Sequence, residues 1–156
     1  MLGRILWLSL AAVFVTTAQK YDGPRPPKPD IPYLKHATTL IPTEAVMAKE
    51  EKKKDDTTYV IDGANSTART PLASPVFLMQ AGKVPPDKLA LYKLEIKDGR
   101  REIFFAAKKP PQAIRMVVTK LSSDGLWKIE VDESLEPGEY SLSPEGSAQA
   151  FCFQVF

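Results

Sequence analysis

An Asp-Gly pair between two alternating apolar runs is the feature that most constrains how this chain can fold. Tyr92, Leu94 and Ile96 alternate with charged residues, Asp98 and Gly99 follow, and the run Arg101-Glu102-Ile103-Phe104-Phe105-Ala106 comes after them. Both central residues of a type I′ turn need positive φ, so Asp-Gly in this context is a strong hairpin signal. The sequence therefore predicts a β-hairpin here, with Tyr92, Leu94 and Ile96 facing inward.

Short strand patterns of this kind recur from residue 89 to the end of the chain. Ser122-Ser123-Asp124-Gly125 is a second turn signal, and the strand after it alternates apolar and charged residues. We expect inward-facing side chains at Trp127, Ile129, Val131, Tyr140, Leu142, Phe151, Phe153 and Val155. Turn signals at intervals of roughly ten residues predict an all-β fold, a single antiparallel β-sandwich of about 7 to 9 strands, with a barrel as the alternative.

The first half of the chain is more ambiguous. Residues 44–54 contain good helix formers, but they lack the apolar stripe that would hold a helix against a core. We favour a hairpin with arms at 44–50 and 57–61, joined by a charged loop at 51–56. Residues 75–80 are apolar on both faces, which predicts a strand covered from both sides.

The segment Leu135-Glu136-Pro137-Gly138-Glu139-Tyr140 lies between two short apolar runs. It resembles the turn into the penultimate strand of a fibronectin type III or immunoglobulin-like β-sandwich. The resemblance implies that the Tyr140 hydroxyl bonds to backbone within about five residues upstream, at a corner formed with Pro137 and Gly138. Where antibody-type domains place a cysteine two residues beyond this tyrosine, the chain has Leu142. The resemblance implies a structural role for Tyr140, Pro137 and Gly138, and the alternation described above gives the core residue Trp127 a structural role as well.

The chain divides into three parts. Residues 1–18 carry one cation, Arg4, then an apolar run at 5–15 and small residues up to Ala18, which is typical of a secretory signal peptide. This run is shorter than the roughly twenty residues that span a membrane. We therefore expect an exported protein, periplasmic or extracellular, with no transmembrane span after signal removal. A Pro-rich arm at 19–32 and a β-sandwich domain at 33–156 follow.

The arm contains five prolines between Pro24 and Pro32. Proline fixes φ and removes a hydrogen-bond donor, so an extended polyproline II segment is expected. The Pro-x-x-Pro spacings beside two basic residues also match peptide ligands of aromatic grooves. This makes Arg25, Pro26, Pro27 and Lys28 candidate docking residues, although a spacer is the favoured interpretation.

Charge and cysteine content exclude several classes of function. Removing Arg4 leaves 20 of the 21 basic residues against 19 acidic ones, so the chain has no field to attract nucleic acid or anionic lipid. Cys152 is the only cysteine and cannot form an intramolecular disulfide; we expect it to be half-buried, facing away from Phe151 and Phe153. His36 is the only histidine, so neither a metal site nor a cofactor is expected.

No common catalytic motif is present in the sequence: it has no Gly-x-Ser-x-Gly, Gly-rich phosphate loop, His-Glu-x-x-His or Cys-x-x-Cys. The leading hypothesis is therefore an exported, non-enzymatic β-sandwich with a structural or protein-interaction role in the cell envelope. Its partner would be another envelope or extracellular protein, or a glycan. A carbohydrate-binding domain is the alternative, with Tyr59, Tyr92 and Trp127 as candidate rings. A hydrolase is a third hypothesis, and it would need two carboxylates within about 5–10 Å in a concave pocket.

Overall fold

A computed structural model describes residues 20–156, and the predicted signal peptide lies outside the described residues. The described residues form thirteen β-strands and a short 3-10 helix at Pro86–Lys88. The strands are β1 (Tyr33–His36), β2 (Thr39–Pro42), β3 (Glu44–Met47), β4 (Lys49–Lys53), β5 (Asp56–Ile61), β6 (Arg69–Thr70), β7 (Val76–Gln80), β8 (Leu89–Lys97), β9 (Arg100–Phe105), β10 (Met116–Lys120), β11 (Leu126–Val131), β12 (Gly138–Pro144) and β13 (Gln149–Val155).

Two packed antiparallel sheets confirm the predicted all-β sandwich. The first has five strands in the order β10-β11-β7-β1-β2. The second has eight, in the order β3-β13-β12-β8-β9-β5-β4, and its short eighth strand, β6, runs parallel to β13. The strands outnumber the expected 7 to 9 because predicted segments divide at tight bends. For example, Ala37 adopts a φ of 53° at the turn that separates β1 from β2.

The larger sheet closes on itself through a single stretch of chain. Its path begins at β3 and ends at β4, and Ala48 alone separates these two strands. The same stretch therefore pairs with β13 on one side and with β5 on the other. The backbone N–H of Ala48 donates to the carbonyl of Ala148 at 2.8 Å and fixes the bend. One layer of the sandwich is thus a small antiparallel barrel, so the fold combines the two architectures that the sequence left open.

The main core lies between the barrel and the five-stranded sheet. Leu34, Phe77 and Ile129 of the five-stranded sheet belong to this core. Phe153 meets Phe77 edge to face, with ring centroids 5.0 Å apart. The predicted inward residues that are buried here are Ile129, Val131, Tyr140, Leu142, Phe151, Phe153 and Val155. Each fully buried side chain of this size stabilises the fold by about 1.5–3 kcal/mol relative to exposure.

The turns at the two Asp-Gly pairs contain positive φ angles that their residues favour. Asp98 and Gly99 have φ values of 53° and 73°, as the predicted type I′ hairpin between β8 and β9 requires. The hairpin predicted at residues 44–61 is present only in part: residues 49–53 pair with β5 and include half of the expected charged loop, whereas residues 44–47 of the predicted first arm pair with β13. At the second Asp-Gly signal the connection is longer, and Gly125, with a φ of 90°, provides the positive-φ residue.

Three side chains differ from the sequence expectation. Ile96, predicted to face inward, is 56% exposed because it lies beside the β8–β9 turn, near the end of the sheet. Trp127 lies near one end of β11 and is only partly buried, with the Lys120 ammonium 6.0 Å from its ring centroid. Cys152 is fully buried rather than half-buried, because the face of β13 opposite Phe151 and Phe153 points into the barrel.

Candidate functional site

The interior of the barrel has three levels. Side chains alternate along a strand, so every second residue of each barrel strand points inward. On β9 these residues are Arg101, Ile103 and Phe105, in order from the closed end of the barrel to its open end. The three levels are a buried ionic network, an apolar layer and an open pocket.

Arg101 is the centre of the closed end, and its side chain is 1% exposed. Its guanidinium forms a forked pair with Glu44, with N–O distances of 2.7 and 3.1 Å. It also donates to the backbone carbonyls of Asp62 and Gly63, both at 2.8 Å. Burial opposes the charge and is the largest single effect, but the hydrogen bond to Glu44 and the charges of nearby acidic groups, Glu44 and Glu139 among them, together outweigh it, and the pKa of Arg101 is raised.

A second carboxylate completes this Arg101 network. Glu139 is 1% exposed and accepts hydrogen bonds from the backbone N–H and the hydroxyl of Ser66. Ser66 Oγ in turn accepts from Arg101 at 2.8 Å. Arg101 and Ser66 therefore bridge Glu44 and Glu139, and they fasten the loop after β5 to the barrel. Neither glutamate lines the open pocket, so this carboxylate pair lies outside the concave site that a hydrolase would use.

The middle level is apolar. Ile61, Leu94, Ala150 and Cys152 form a second buried cluster, with Ile103 packed against it. Burial raises the pKa of the Cys152 thiol to about 12. The thiol is thus protonated near neutral pH and is not an activated nucleophile.

The open end of the barrel is a pocket of about 350 Å³, called the barrel pocket below. One side, the aromatic wall, consists of Tyr59, Tyr92 and Phe105. Small side chains form much of the rest of the lining: Ala48, Ala90, Ser141, Ser143, Ala148 and Ala150. The turn between β12 and β13, which includes Glu145 and Gly146, forms part of the rim.

The barrel pocket exists because β8 and β9 separate. They pair only where residues 95–97 meet 100–102, next to the turn. Beyond that point the Tyr92 and Phe105 rings contact each other edge to face, with centroids 5.3 Å apart. The Tyr59 ring also contacts Phe105 edge to face, with centroids 5.4 Å apart and an interplanar angle of 87°. The aromatic wall therefore occupies the region where backbone pairing has stopped, and the small residues leave space beside it.

Charge in the barrel pocket is negative. Among the described residues that line it, Glu145 is the one charged side chain. Burial raises the pKa of Tyr92, and the negative charge of Glu145 raises it further. The remaining polar groups are hydroxyls and the Gln149 amide. This lining can bind apolar surface and donate a few hydrogen bonds, but it offers no cation for an anionic ligand.

A second hollow lies outside the barrel, against the outer side of β8 and β9. Its volume is also about 350 Å³, and Lys93, Glu95 and Glu102 are among the residues around it. Its lining mixes charges of both signs on the surface of a sheet. The barrel pocket is the better candidate because aromatic and aliphatic side chains from several strands converge on it.

The predicted corner is present at the start of β12. The Tyr140 hydroxyl donates to the carbonyl of Glu136, four residues upstream, at 2.7 Å. Pro137 is exposed and Gly138 begins the strand. Tyr140 also stacks on Phe153 with ring centroids 5.6 Å apart. The corner therefore joins β12 to the main core and is not part of the barrel pocket.

The Pro-rich arm contacts the five-stranded sheet. Pro26 is buried, whereas Pro27 and Lys28 are exposed. Arg25 forms an ion pair with Asp124 at 2.9 Å. The Asp30 carboxylate accepts hydrogen bonds from three successive backbone N–H groups, at residues 82–84. The docking role proposed for residues 25–28 stays a prediction.

Two of the three rings named for carbohydrate binding meet in the barrel pocket. These are Tyr59 and Tyr92, whereas Trp127 belongs to the five-stranded sheet. Sequence reasoning missed Phe105, which pairs with both tyrosines. In the sequence it follows Phe104, and only knowledge of the pairing partners of β9 shows which of the two faces inward. His36 hydrogen-bonds to Thr70 Oγ1 at 2.8 Å, away from these rings.

Two further features concern residues 20–156: possible groups of metal ligands and possible membrane-crossing helices. Across that range, no three His, Cys, Asp or Glu side chains are grouped as metal ligands would be. Over the same residues, no helix combines the length and the apolar character needed to cross a membrane.

Fold and pocket together define an all-β sandwich with one barrel-shaped layer and a concave site inside it. No family model, no curated protein and no solved structure matches the chain.

Proposed function

We propose that this chain is an exported, non-enzymatic β-sandwich module with an interaction role in the cell envelope, and that its binding site is the barrel pocket. The supporting observation is about 350 Å³ of open space lined by the aromatic wall and by small residues. The interior of a small barrel is ordinarily filled by side chains. A volume at the lower end of the 300–1,000 Å³ range of ligand pockets suits a small molecule or one group of a larger partner.

The absence of catalytic activity is proposed from the chemistry of the lining. Among the described residues of the barrel pocket, hydroxyls, one amide and Glu145 are the polar side chains. None of them is paired with a general base in the way that an activated nucleophile requires. The Cys152 thiol is buried and protonated, and Arg101 and Ser66 hold the glutamate pair at the other end of the barrel. These features favour binding without turnover.

Export is proposed from the sequence pattern of residues 1–18. The envelope location therefore depends on the charged start, the apolar run and the small residues that precede the arm. Fractionation of the native host, followed by N-terminal sequencing of the recovered chain, tests this part. A mature chain beginning near residue 19 in the envelope or medium is expected. An intact N-terminus in the cytosol would contradict it.

Carbohydrate binding is the second candidate, because Tyr59 and Tyr92 line one site. Sugars bind best when ring faces form an open platform. Here each tyrosine meets Phe105 nearly at right angles, which forms a concave corner instead. This geometry favours a compact ligand over an extended sugar chain.

Methyl NMR of protein labelled at alanine tests the proposed site. Ala48, Ala90, Ala148 and Ala150 line the barrel pocket, whereas Ala68 belongs to the main core. Benzyl alcohol, p-cresol and cyclohexanol serve as apolar probes, and glucose and N-acetylglucosamine as sugar probes. Saturable shifts of the four pocket methyls with any apolar probe are expected, with the Ala68 methyl unchanged. Shifts with the sugars alone would favour the second candidate, and no shifts with any probe would reject the site.

A further inference from the structure

The barrel pocket combines two features that together point to a specific class of ligand. The first is a set of rings at steep angles: Tyr59 and Tyr92 make angles of 87° and 76° with Phe105. The second is a single acidic side chain, Glu145, at the rim. The inference rests on the proposed function, because it concerns what the same pocket binds.

We propose that the barrel pocket binds a small organic cation of the alkylammonium class. The faces of aromatic rings carry partial negative charge, so rings set at angles around one space attract a compact, weakly hydrated cation. Aromatic rings of this kind recognise quaternary ammonium groups because the methyl groups of the ligand contact the rings while its charge interacts with them. The aromatic wall offers such surfaces on one side of the pocket.

Charge complementarity supports the same class of ligand. No lysine, arginine or histidine is among the described residues that line the barrel pocket. Lys88 approaches Glu145 through its backbone, where its carbonyl accepts the Glu145 N–H at 3.1 Å. A carboxylate at the rim attracts a cation and repels an anion, and its effect is stronger beside a low-dielectric cavity than in open water.

The small residues beside the aromatic wall agree with a compact ligand. Ser141 is paired directly with Tyr92 on the neighbouring strand. Ser141 and Ser143 lie within hydrogen-bond distance of each other, with their oxygens 2.8 Å apart, and both line the barrel pocket. Their hydroxyls can also bond to a polar group attached to the cation. An alkylammonium carrying a hydroxyl, such as choline, therefore presents one group to the aromatic wall and another to the serines.

A pair of matched ligands tests the inference. Choline and 3,3-dimethylbutan-1-ol have nearly the same shape, but only choline carries a charge. Titration of the full chain, expressed for export, by calorimetry and by alanine-methyl NMR gives both affinities and the location of binding. We expect choline to bind the barrel pocket at least about tenfold more tightly than the neutral alcohol.

The outcomes separate this inference from the proposed function. Equal affinity for the two ligands at the pocket methyls would overturn the cation inference and leave the binding site in place. If choline, its neutral analogue and the apolar probes all fail to shift the pocket methyls, the proposed function fails as well.

A charge-neutralising pair of variants provides the second test. Glu145 is exposed at the rim, so Glu145→Gln is expected to fold normally and to weaken choline binding by about threefold or more, without changing binding of the neutral alcohol. The control is Asp55→Asn, at the exposed tip of the β4–β5 hairpin. Choline affinity that is unchanged in Glu145→Gln, or reduced equally in both variants, would overturn the role assigned to Glu145.

Discussion

The ring of Tyr92 meets the ring of Phe105 edge to face at 5.3 Å, on neighbouring strands that no longer pair at this level. Side-chain contact therefore replaces backbone pairing where β8 and β9 separate. The separation also opens the space beside the rings, so the barrel pocket and its aromatic wall have one structural cause.

A larger side chain inside the barrel pocket should abolish ligand binding without destabilising the fold. Ala90 is buried and lines the barrel pocket. In Ala90→Leu the added methyl groups enter open space and bury apolar surface, so stability should stay within about 1 kcal/mol of wild type or rise. Binding of every pocket ligand should be lost. Urea denaturation and the alanine-methyl titration measure the two effects, and a large loss of stability would mean that the space is not available to a side chain.

Neighbouring arginines on β9 should differ sharply in their contribution to stability. Arg101→Met leaves Glu44 and Glu139 without their buried cation, and we expect a loss of about 3–5 kcal/mol. The matched control is Arg100→Met, which removes partly exposed ion pairs with Glu51 and Glu102 and should cost at most about 1 kcal/mol. Chemical denaturation of both variants gives the comparison. Equal losses would contradict the structural role of the Arg101 network.

The arm should contribute to stability through Asp30. Burial acts to raise the pKa of this carboxyl, but hydrogen bonds from the N–H groups of Lys83, Val84 and Gly82 outweigh it, so the pKa is lowered below 3.8. A lowered pKa in the folded state contributes stability above the unfolded value, and this contribution is lost as the pH falls.

We therefore expect wild type to lose more stability than Asp30→Asn between pH 5.5 and pH 3. At pH 7, Asp30→Ala should cost about 1 kcal/mol or more, because it leaves backbone donors without their acceptor. Urea denaturation across this pH range tests both statements. Parallel pH curves for wild type and Asp30→Asn would show that the arm contact has no energetic role.

Alkaline stability should depend on Cys152. Its pKa is raised by burial from 9.0 to about 12, so above pH 9 the unfolded chain ionises while the folded chain stays neutral. The stabilising contribution is complete below pH 9 and falls by about 1.4 kcal/mol per pH unit above it. Cys152→Ala should show a shallower decline between pH 9 and pH 10.5. If the stability of wild type and of Cys152→Ala falls with the same slope, the raised pKa of Cys152 is contradicted, whatever the absolute stability of the variant.

Local signals in the sequence were sufficient for much of the sandwich. Period-two alternation identified the core face of β12 and β13, and turn chemistry located the hairpin at Asp98 and Gly99. These features depend on residues close together in the chain. The prediction that Ile96 faces inward was wrong, because alternation does not reveal where a sheet ends.

The barrel and its ionic network could not be predicted in the same way. Closure requires one stretch around Ala48 to pair with two strands, one of them about a hundred residues further along the chain. Arg101 looks like a surface residue beside a turn, and its partners Glu44 and Ser66 lie 57 and 35 residues away in sequence. One feature of the sequence could have indicated that Arg101 points into the barrel: it lies on the same face of its strand as Ile103 and Phe105.

The most direct test of the barrel pocket as the binding site compares two adjacent phenylalanines. Phe105 belongs to the aromatic wall, whereas Phe104, the preceding residue on β9, is 54% exposed on the outer face. We predict that Phe105→Leu weakens choline binding by at least about fivefold in the alanine-methyl titration, because a ring face is lost. Phe104→Leu should bind choline as wild type does, and thermal denaturation of both variants verifies their folding. Equal affinity in two folded variants, or loss of binding in Phe104→Leu alone, would contradict the assignment of the site to the barrel pocket.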